Sequence, residues 1–290
     1  MVNLPVGLLG LLLTVRYVGA TARKKRDRID LLGPLASVAA LGGFTYAIVE
    51  GAPRGWSSSA VLAGVGVALI GMAVLIVAET NGADPMLPRG LFTLPGFSAG
   101  TAVGFLLNFG FYGQLFLLSL YFQGERGLSP VATGLALLPE TGVALIANLV
   151  SGRMTARIGP RWPLTLGLAL SGAGLLALAP ATGSTAYLVL AATLVVVGFG
   201  AALAVPAVTV SILELAPGEQ AGISAGVLNT SRQMSGVLGV ALLGALASGV
   251  DSALPGLHQA LVVAGCGLLL ATGIALCSDS SSSSPVVTSR

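Results

Sequence analysis

The sequence predicts an all-α membrane protein, a polytopic bundle of about nine transmembrane helices. Nine stretches of the 290 residues are long and apolar, and each is close to the roughly 20 residues that a helix needs to cross a hydrocarbon core. Only 9% of the residues are charged, against about 25% in a soluble domain. An α-helix satisfies its own backbone N–H and C=O groups where water is absent, so these stretches are expected to be helices.

The predicted spans follow one another along most of the chain. In order they are Leu4–Ala20, Leu31–Ile48, Ala60–Ala78, Phe97–Tyr121, Val131–Val150, Pro163–Ala179, Tyr187–Ile212, Ala221–Ala247 and Leu257–Cys277. Asp30 occupies an N-cap position for the second span, and Pro34 falls in its first turn. Linkers and helices divide the chain into a first helix (1–20), a basic linker with two central helices (21–95), six helices (96–277) and a disordered, serine-rich cytoplasmic tail (278–290).

The basic residues predict the orientation. With the loops placed alternately, eleven of the fourteen Lys and Arg residues fall on one side, two fall on the other, and Arg232 lies inside a helix. The eleven are Arg16, Arg23, Lys24, Lys25, Arg26, Arg28, Arg89, Arg153, Arg157, Arg161 and Arg290. Because Lys and Arg concentrate on the cytoplasmic side, we predict a multi-pass protein of the cell membrane with a cytoplasmic carboxy terminus and an external amino terminus.

The sequence contains no P-loop and no His-Glu-x-x-His. Gly-x-Ser-x-Gly occurs twice, at Gly96–Gly100 and Gly222–Gly226, but at the start of predicted apolar helices and without the strand-to-helix turn on which a hydrolase presents this serine. Cys266, Cys277 and His258 do not have the spacing of metal ligands. We therefore expect neither an enzyme nor a metal or cofactor site, and the basic charge does not call for nucleic acid as a partner.

Glycine accounts for 41 of the 290 residues, about twice the usual share of roughly 7%. In lipid, helices associate by close backbone approach at small residues. Two Gly-xxx-Gly spacings, Gly100/Gly104 and Gly222/Gly226, predict such packing.

The fourth span carries a polar stripe. Its members lie within a ~40° arc of a helix, and they are Thr101, Asn108, Tyr112 and Ser119. Polar groups inside a span are costly and usually face a bundle interior or a water-filled cavity. The stripe predicts either hydrogen bonds between helices or the lining of a solute path.

Glu140 lies near the middle of the fifth span. The residues on the same helical face are small or polar: Thr133, Ala136, Ala144, Ala147 and Ser151. Placing an acidic residue at the membrane centre costs roughly 2.5–3.5 kcal/mol. Two interpretations remain open, a proton-binding carboxyl that responds to water access and a structural carboxyl held by a basic or hydroxyl partner.

The eighth span has the most polar core. Asn229, Arg232 and Gln233 share one helical face that small residues flank. Arg232 is the one basic residue placed inside the membrane, and Glu140 is the one acidic residue at comparable depth. The sequence does not show whether their helices are adjacent.

Four stretches together resemble the fourteen-helix drug–proton antiporter family of the major facilitator superfamily. They are Asn3-Leu4-Pro5-Val6-Gly7, Arg28 to Gly33, Gly127-Leu128-Ser129-Pro130 with Leu137-Leu138-Pro139, and Ala221-Gly222 with Asn229 to Gln233. The segment from Gly152 to Arg161 resembles the superfamily's loop motif through Gly152, Arg157, Gly159 and Arg161, whereas Ala156 replaces the motif's acidic residue.

The resemblance implies that the nine spans correspond to helices six to fourteen of that family, a partial major-facilitator fold without the first five helices. It also implies proton coupling through Glu140 and Arg232, and a substrate path along Thr101, Asn108, Tyr112, Asn229 and Gln233. Substrate and proton sites in this superfamily lie between two halves of the molecule. We therefore expect Glu140 and Arg232 to face lipid in the 290-residue chain alone, unless they pair or water reaches them.

The resulting hypothesis is the carboxy-terminal part of a proton-coupled exporter of small amphipathic molecules such as antibiotics. Its partners are lipid, a small-molecule substrate and protons. Two alternatives stay open: a truncated product that does not transport, and a membrane subunit that needs a partner chain to supply the amino-terminal half.

Overall fold

A computed structural model of the chain describes residues 3–17, 32–81, 95–215, 221–248 and 253–278. The described residues form helices and contain no strand, which confirms the all-α prediction. The helices are α1 (Asn3–Tyr17), α2 (Leu32–Arg54), α3 (Ser59–Asn81), α4 (Pro95–Leu120), α5 (Pro130–Ala136), α6 (Leu138–Gly142), α7 (Ala144–Ile158), α8 (Arg161–Leu178), α9 (Tyr187–Leu215), α10 (Ala221–Ser248) and α11 (Ala253–Ser278). The Asp30 cap, the basic linker and the serine tail lie outside the described residues.

Helices α4 to α11 form one bundle. Helix α4 packs against α10 and α11, α9 packs against α8 and α7, and α8 packs against α11. The core is built from aliphatic side chains with almost no solvent exposure, among them Leu107, Leu168, Leu194 and Leu261. This bundle positions the candidate site, because α4, α6, α7 and α9 meet inside it.

Helices α2 and α3 form a separate hairpin that contacts the bundle through α10. Backbones approach closely inside the hairpin, since a Cβ placed on Gly43 would lie 2.7 Å from the backbone nitrogen of Ala68. Close approach at small residues is the usual way in which membrane helices associate.

The glycine spacings have different outcomes. A Cβ on Gly100 or Gly104 would press on Ile212 or Leu228, at 2.9 and 2.8 Å, so this pair packs helices together as predicted. Gly222 and Gly226 have open space around them in the described structure, so the prediction for that pair is wrong. The close approach of α10 lies at Gly239, whose carbonyl oxygen would be 3.0 Å from a Cβ on Gly113.

Each of the nine predicted spans contains helix in the described residues, and the molecule is a polytopic helical membrane bundle. Six of the described helices are long and apolar enough to cross a membrane, or seven if the bent helix pair is one span. Two predicted spans fall outside this set for different reasons. Helix α1 is described over 15 residues, and α10 has 28 residues but contains the polar segment around Arg232.

The fifth span is broken, whereas the sequence predicted one continuous helix over Val131–Val150. Helix α5 begins at a cap where the backbone N–H of Ala132 donates to Ser129 Oγ at 3.3 Å. The chain then bends by 43° between α5 and the α6–α7 segment. Pro139 explains the break, because it has no backbone N–H to continue the helical hydrogen bonds. The break places Glu140 at the start of a new helical turn.

Candidate functional site

Glu140 lies in the first turn of α6, directly after the break, and only 1% of its surface is exposed. Its partner is Gln114 on α4, which is completely buried. The Gln114 Nε2 donates a hydrogen bond to Glu140 Oε1. The expectation that Glu140 faces lipid in this chain is therefore wrong, because α4 and α9 cover it.

Gly198 on α9 makes this burial possible. A Cβ at that position would collide with the backbone carbonyl of Glu140 and would lie 2.8 Å from its Cγ. Glycine is thus the residue that lets α9 approach the broken turn of the fifth span. The glycine is required here by the contact and not by its backbone angles.

A cavity of about 230 Å³ opens beside Glu140, between α4, α6, α7 and α9. Its polar lining comes from Asn108, Glu140, Thr141 and Asn148. The volume is far above the ~10–15 Å³ that one water needs, and polar groups are present to bind it. The cavity can therefore supply water to an otherwise dry carboxyl.

Asn108, which the sequence analysis placed on the substrate path, lines the same cavity as Glu140. Its Nδ2 donates to the carbonyl of Gly104 at 2.9 Å, and its side chain is buried. The remainder of the face predicted around Glu140 is also directed inward. Thr133, Ala136, Ala147 and Ser151 are buried, and Ser151 Oγ donates to the carbonyl of Leu203 on α9 at 2.6 Å.

A second and larger cavity of about 800 Å³ lies between α2, α4 and α10. Tyr112 and Gln233, both predicted for a substrate path, line it together with Trp56 and Phe116. Its wall is mostly apolar and aromatic, with two polar side chains. Such a surface suits a molecule with an apolar body and a polar group.

The predicted stripe of α4 is divided between these two cavities. Asn108 lines the smaller one and Tyr112 lines the larger one. Thr101 and Ser119 line neither, and their hydroxyls donate to the carbonyls of Phe97 and Leu115 on their own helix, each at 2.9 Å.

Two residues of α10 also stay apart from the Glu140 site. Asn229 is exposed and lines neither cavity. Arg232 is half-buried, and its carbonyl accepts a hydrogen bond from Ser235 Oγ at 2.8 Å. Within the part of the chain that the structure describes, Glu140 is held by the Gln114 amide and not by Arg232.

The loop motif connects α7 to α8. Gly159 ends α7 with a φ of 81°, in the left-handed region that favours glycine. Arg161 reaches across to the carbonyl of Leu276 on α11 at 3.4 Å. Gly152 and Arg157 are exposed, so two of the four motif residues have structural contacts and two face outward.

Gln114 is the site residue that the sequence analysis missed. The polar-stripe argument followed one face of α4, and Gln114 lies on a different face. An uncharged amide in the middle of an apolar span is itself a signal, because its polar groups need buried partners there. Among the described residues, no group of three His, Cys, Asp or Glu side chains comes together.

Comparison with known proteins gives a family and a set of relatives. Residues 100–285 match the family model described as Major Facilitator Superfamily. The chain is 37% identical over 84% of its length to the methylenomycin A resistance protein of Streptomyces coelicolor, covering 51% of that protein. It is 33% identical over 84% of its length to the multidrug resistance protein Stp of Mycobacterium tuberculosis, covering 45% of it.

A third relative is the tetracenomycin C resistance and export protein of Streptomyces glaucescens. The identity is 31% over 88% of this chain and 48% of the relative. The chain thus spans about half the length of the curated relatives that it matches.

Proposed function

The chain belongs to the Major Facilitator Superfamily, and we propose that it is the carboxy-terminal part of a proton-coupled exporter of small amphipathic molecules such as antibiotics. The observation that carries this proposal is its similarity, over 84% or more of the chain, to proteins named for drug resistance and export. Membership of the superfamily and the relatives named for drug resistance place it among transporters and not among enzymes.

The two cavities support a division of tasks. The larger cavity with Tyr112, Gln233 and Trp56 offers an apolar and aromatic wall to the substrate. The smaller cavity brings water to Glu140, which we assign as the proton-binding group, with Asn108 beside it. Arg232 on α10 lines neither cavity, and its part in proton coupling belongs to the same proposal.

Transport in this superfamily takes place between two halves that rock around a central site. Because the chain covers about half of its relatives, we propose that a further part forms the opposite wall, in the same polypeptide or in a partner chain. The fourteen-helix arrangement, the cell-membrane location and the cytoplasmic carboxy terminus belong to the same proposal.

Everted membrane vesicles provide the test. Vesicles that hold this chain together with the amino-terminal half of its transporter should take up a fluorescent cationic dye when a proton gradient is imposed. A protonophore should stop that uptake, and vesicles without the protein serve as the control. Dye uptake that continues in the presence of the protonophore would exclude proton coupling. The absence of uptake by the complete transporter would exclude the exporter assignment.

A further inference from the structure

We propose that Gln114 is a positioning residue whose hydrogen bonding changes when Glu140 is protonated. It transmits this change to helix α4. Its amide makes one hydrogen bond to the ionised carboxylate and two to the protonated carboxyl. The proposal rests on the proposed function, because it gives the proton-binding group a specific partner.

The hydrogen bonding around this pair is incomplete in a particular way. Gln114 and Glu140 expose 0% and 1% of their surfaces, and a single hydrogen bond from Nε2 to Oε1 joins them. The two remaining side-chain oxygens, Gln114 Oε1 and Glu140 Oε2, are buried and have no hydrogen-bond partner. Leaving a buried acceptor without a donor is unfavourable.

One proton satisfies both oxygens. Both are acceptors while Glu140 is ionised, and neither can donate to the other. When a proton binds Glu140 Oε2, the new O–H group can donate to Gln114 Oε1, and the amide and the acid then form a ring with two hydrogen bonds. A primary amide suits this task because it carries a donor and an acceptor on one planar group. The proton is exchanged with water in the adjoining cavity of about 230 Å³.

Other charged or titratable groups on the packed helices do not take this role. Tyr112 on α4 lines the larger cavity, and the Tyr187 hydroxyl at the start of α9 donates to the carbonyl of Ala136 at 3.2 Å. Glu214 on α9 and Arg153 and Arg157 on α7 are exposed. Arg232 on α10 lies near Gly104 of α4 and does not line the cavity beside Glu140. Within the described residues, the Gln114 amide is therefore the polar group that faces the carboxyl directly.

The neighbours of Gln114 connect this change to the substrate wall. Gly113, the preceding residue, contacts α10 so closely that a Cβ there would lie 3.0 Å from the carbonyl oxygen of Gly239. Tyr112, one position earlier, lines the larger cavity. A shift of the Gln114 amide therefore acts on the short segment of α4 that contacts α10 and faces the substrate.

Infrared difference spectroscopy of the purified 290-residue chain tests the pair without requiring transport. The carbonyl band of a protonated carboxyl should appear on acidification and should be lost in Glu140→Gln. In Gln114→Met, which keeps the length of the side chain, that band should move to higher frequency because both hydrogen bonds are lost. Gln259→Met, at an exposed position of α11, is the matched control and should leave the band unchanged.

A second measurement needs no variant at Gln114. With isotope-labelled glutamine, one side-chain amide band of the wild-type chain should change together with the Glu140 band, and Glu140→Gln should remove that change. An unshifted carboxyl band in folded Gln114→Met, or a glutamine band that ignores the acidification, would overturn the proposal. If both bands respond while vesicles of the complete transporter move no dye, the exporter proposal fails and the paired response stands. If dye moves and the bands do not respond, the proposed Gln114–Glu140 pairing fails and the exporter proposal stands.

Discussion

At the residue scale, the proposal of proton coupling rests on the buried carboxyl of Glu140. This residue combines 1% exposure, a single amide partner and a place on the wall of a cavity that can hold water. A structural carboxyl inside a membrane bundle usually has a basic partner or several donors. Glu140 has one neutral donor, which leaves it able to gain and lose a proton.

The first prediction is that Glu140→Gln abolishes gradient-driven export in the complete transporter and leaves the protein in the membrane. Glutamine fills the same volume and can still bond to Gln114, but it cannot exchange a proton. Dye uptake by everted vesicles under an imposed pH gradient measures the effect. Glu214→Gln, the same substitution at an exposed position of α9, should retain uptake. Undiminished export by Glu140→Gln would make that residue purely structural.

The second prediction concerns Gly198, the glycine that lets α9 pack closely against the broken turn of the fifth span. Gly198→Ala should lower stability by about 1–3 kcal/mol, the usual cost of overpacking, because its Cβ would collide with the Glu140 carbonyl. Thermal unfolding in detergent is the measurement. Gly273→Ala on α11 is the control, since no described atom lies within 4 Å of a Cβ there. Both changes bring the same gain in helix propensity, so equal melting temperatures would show that the contact is not tight.

At the element scale, the structure shows which relations a single sequence can reveal. The inward face around Glu140 was predictable, because residues on one helix share a face at a known period. The Gln114 contact was not, because it joins residues 26 positions apart on helices whose arrangement the sequence does not give. The Gly222/Gly226 spacing indicated that another helix could pack closely against α10. It did not indicate that α4 would do so at Gly239 instead. The sequence analysis predicted a continuous fifth span from length and apolarity and did not use Pro139, which marks the break.

The third prediction addresses the α2–α3 hairpin. Gly43→Ile should separate the two helices, because a side chain there meets the backbone of Ala68 and Gly64 at 2.7 Å. Gly42→Ile, one position earlier on the exposed side of α2, should be tolerated because no described atom is near.

Trp56, in the turn of the hairpin, reports the outcome. The chain has two tryptophans, so in Trp162→Phe the tryptophan fluorescence comes from Trp56 alone. In that background, Gly43→Ile should increase the access of a soluble quencher to Trp56 and Gly42→Ile should not. Equal quenching in the two variants would mean that the hairpin does not depend on this contact.

At the scale of the whole molecule, the proposed orientation rests on the eleven-to-two distribution of Lys and Arg between the two sides of the membrane. The fourth prediction is that a reporter fused after Ser278 is found in the cytoplasm and that a reporter in the turn between Arg54 and Ser59 is found outside. Paired enzyme and fluorescent reporters, active on opposite sides of the membrane, provide the measurement. The opposite pattern would invert the proposed topology.

The last prediction is that the 290-residue chain by itself inserts into membranes but does not transport. The earlier expectation of an exposed, destabilising Glu140 no longer applies, because Gln114 and Gly198 enclose that residue within the described bundle. The substrate wall is different. Tyr112 is 43% exposed, and Gln233 is exposed beside it, so the larger cavity has a wall on one side and needs an opposing half for alternating access.

Purified chain in proteoliposomes under a pH gradient tests this prediction, with the complete transporter as the positive control. The chain alone should be correctly inserted, should show the infrared band of Glu140 and should move no dye. Addition of the amino-terminal half, as a separate polypeptide or by fusion, should restore movement. Gradient-driven dye movement by the chain alone, lost when the gradient collapses, would contradict the prediction. It would mean that two copies of this chain face each other and rebuild the missing wall.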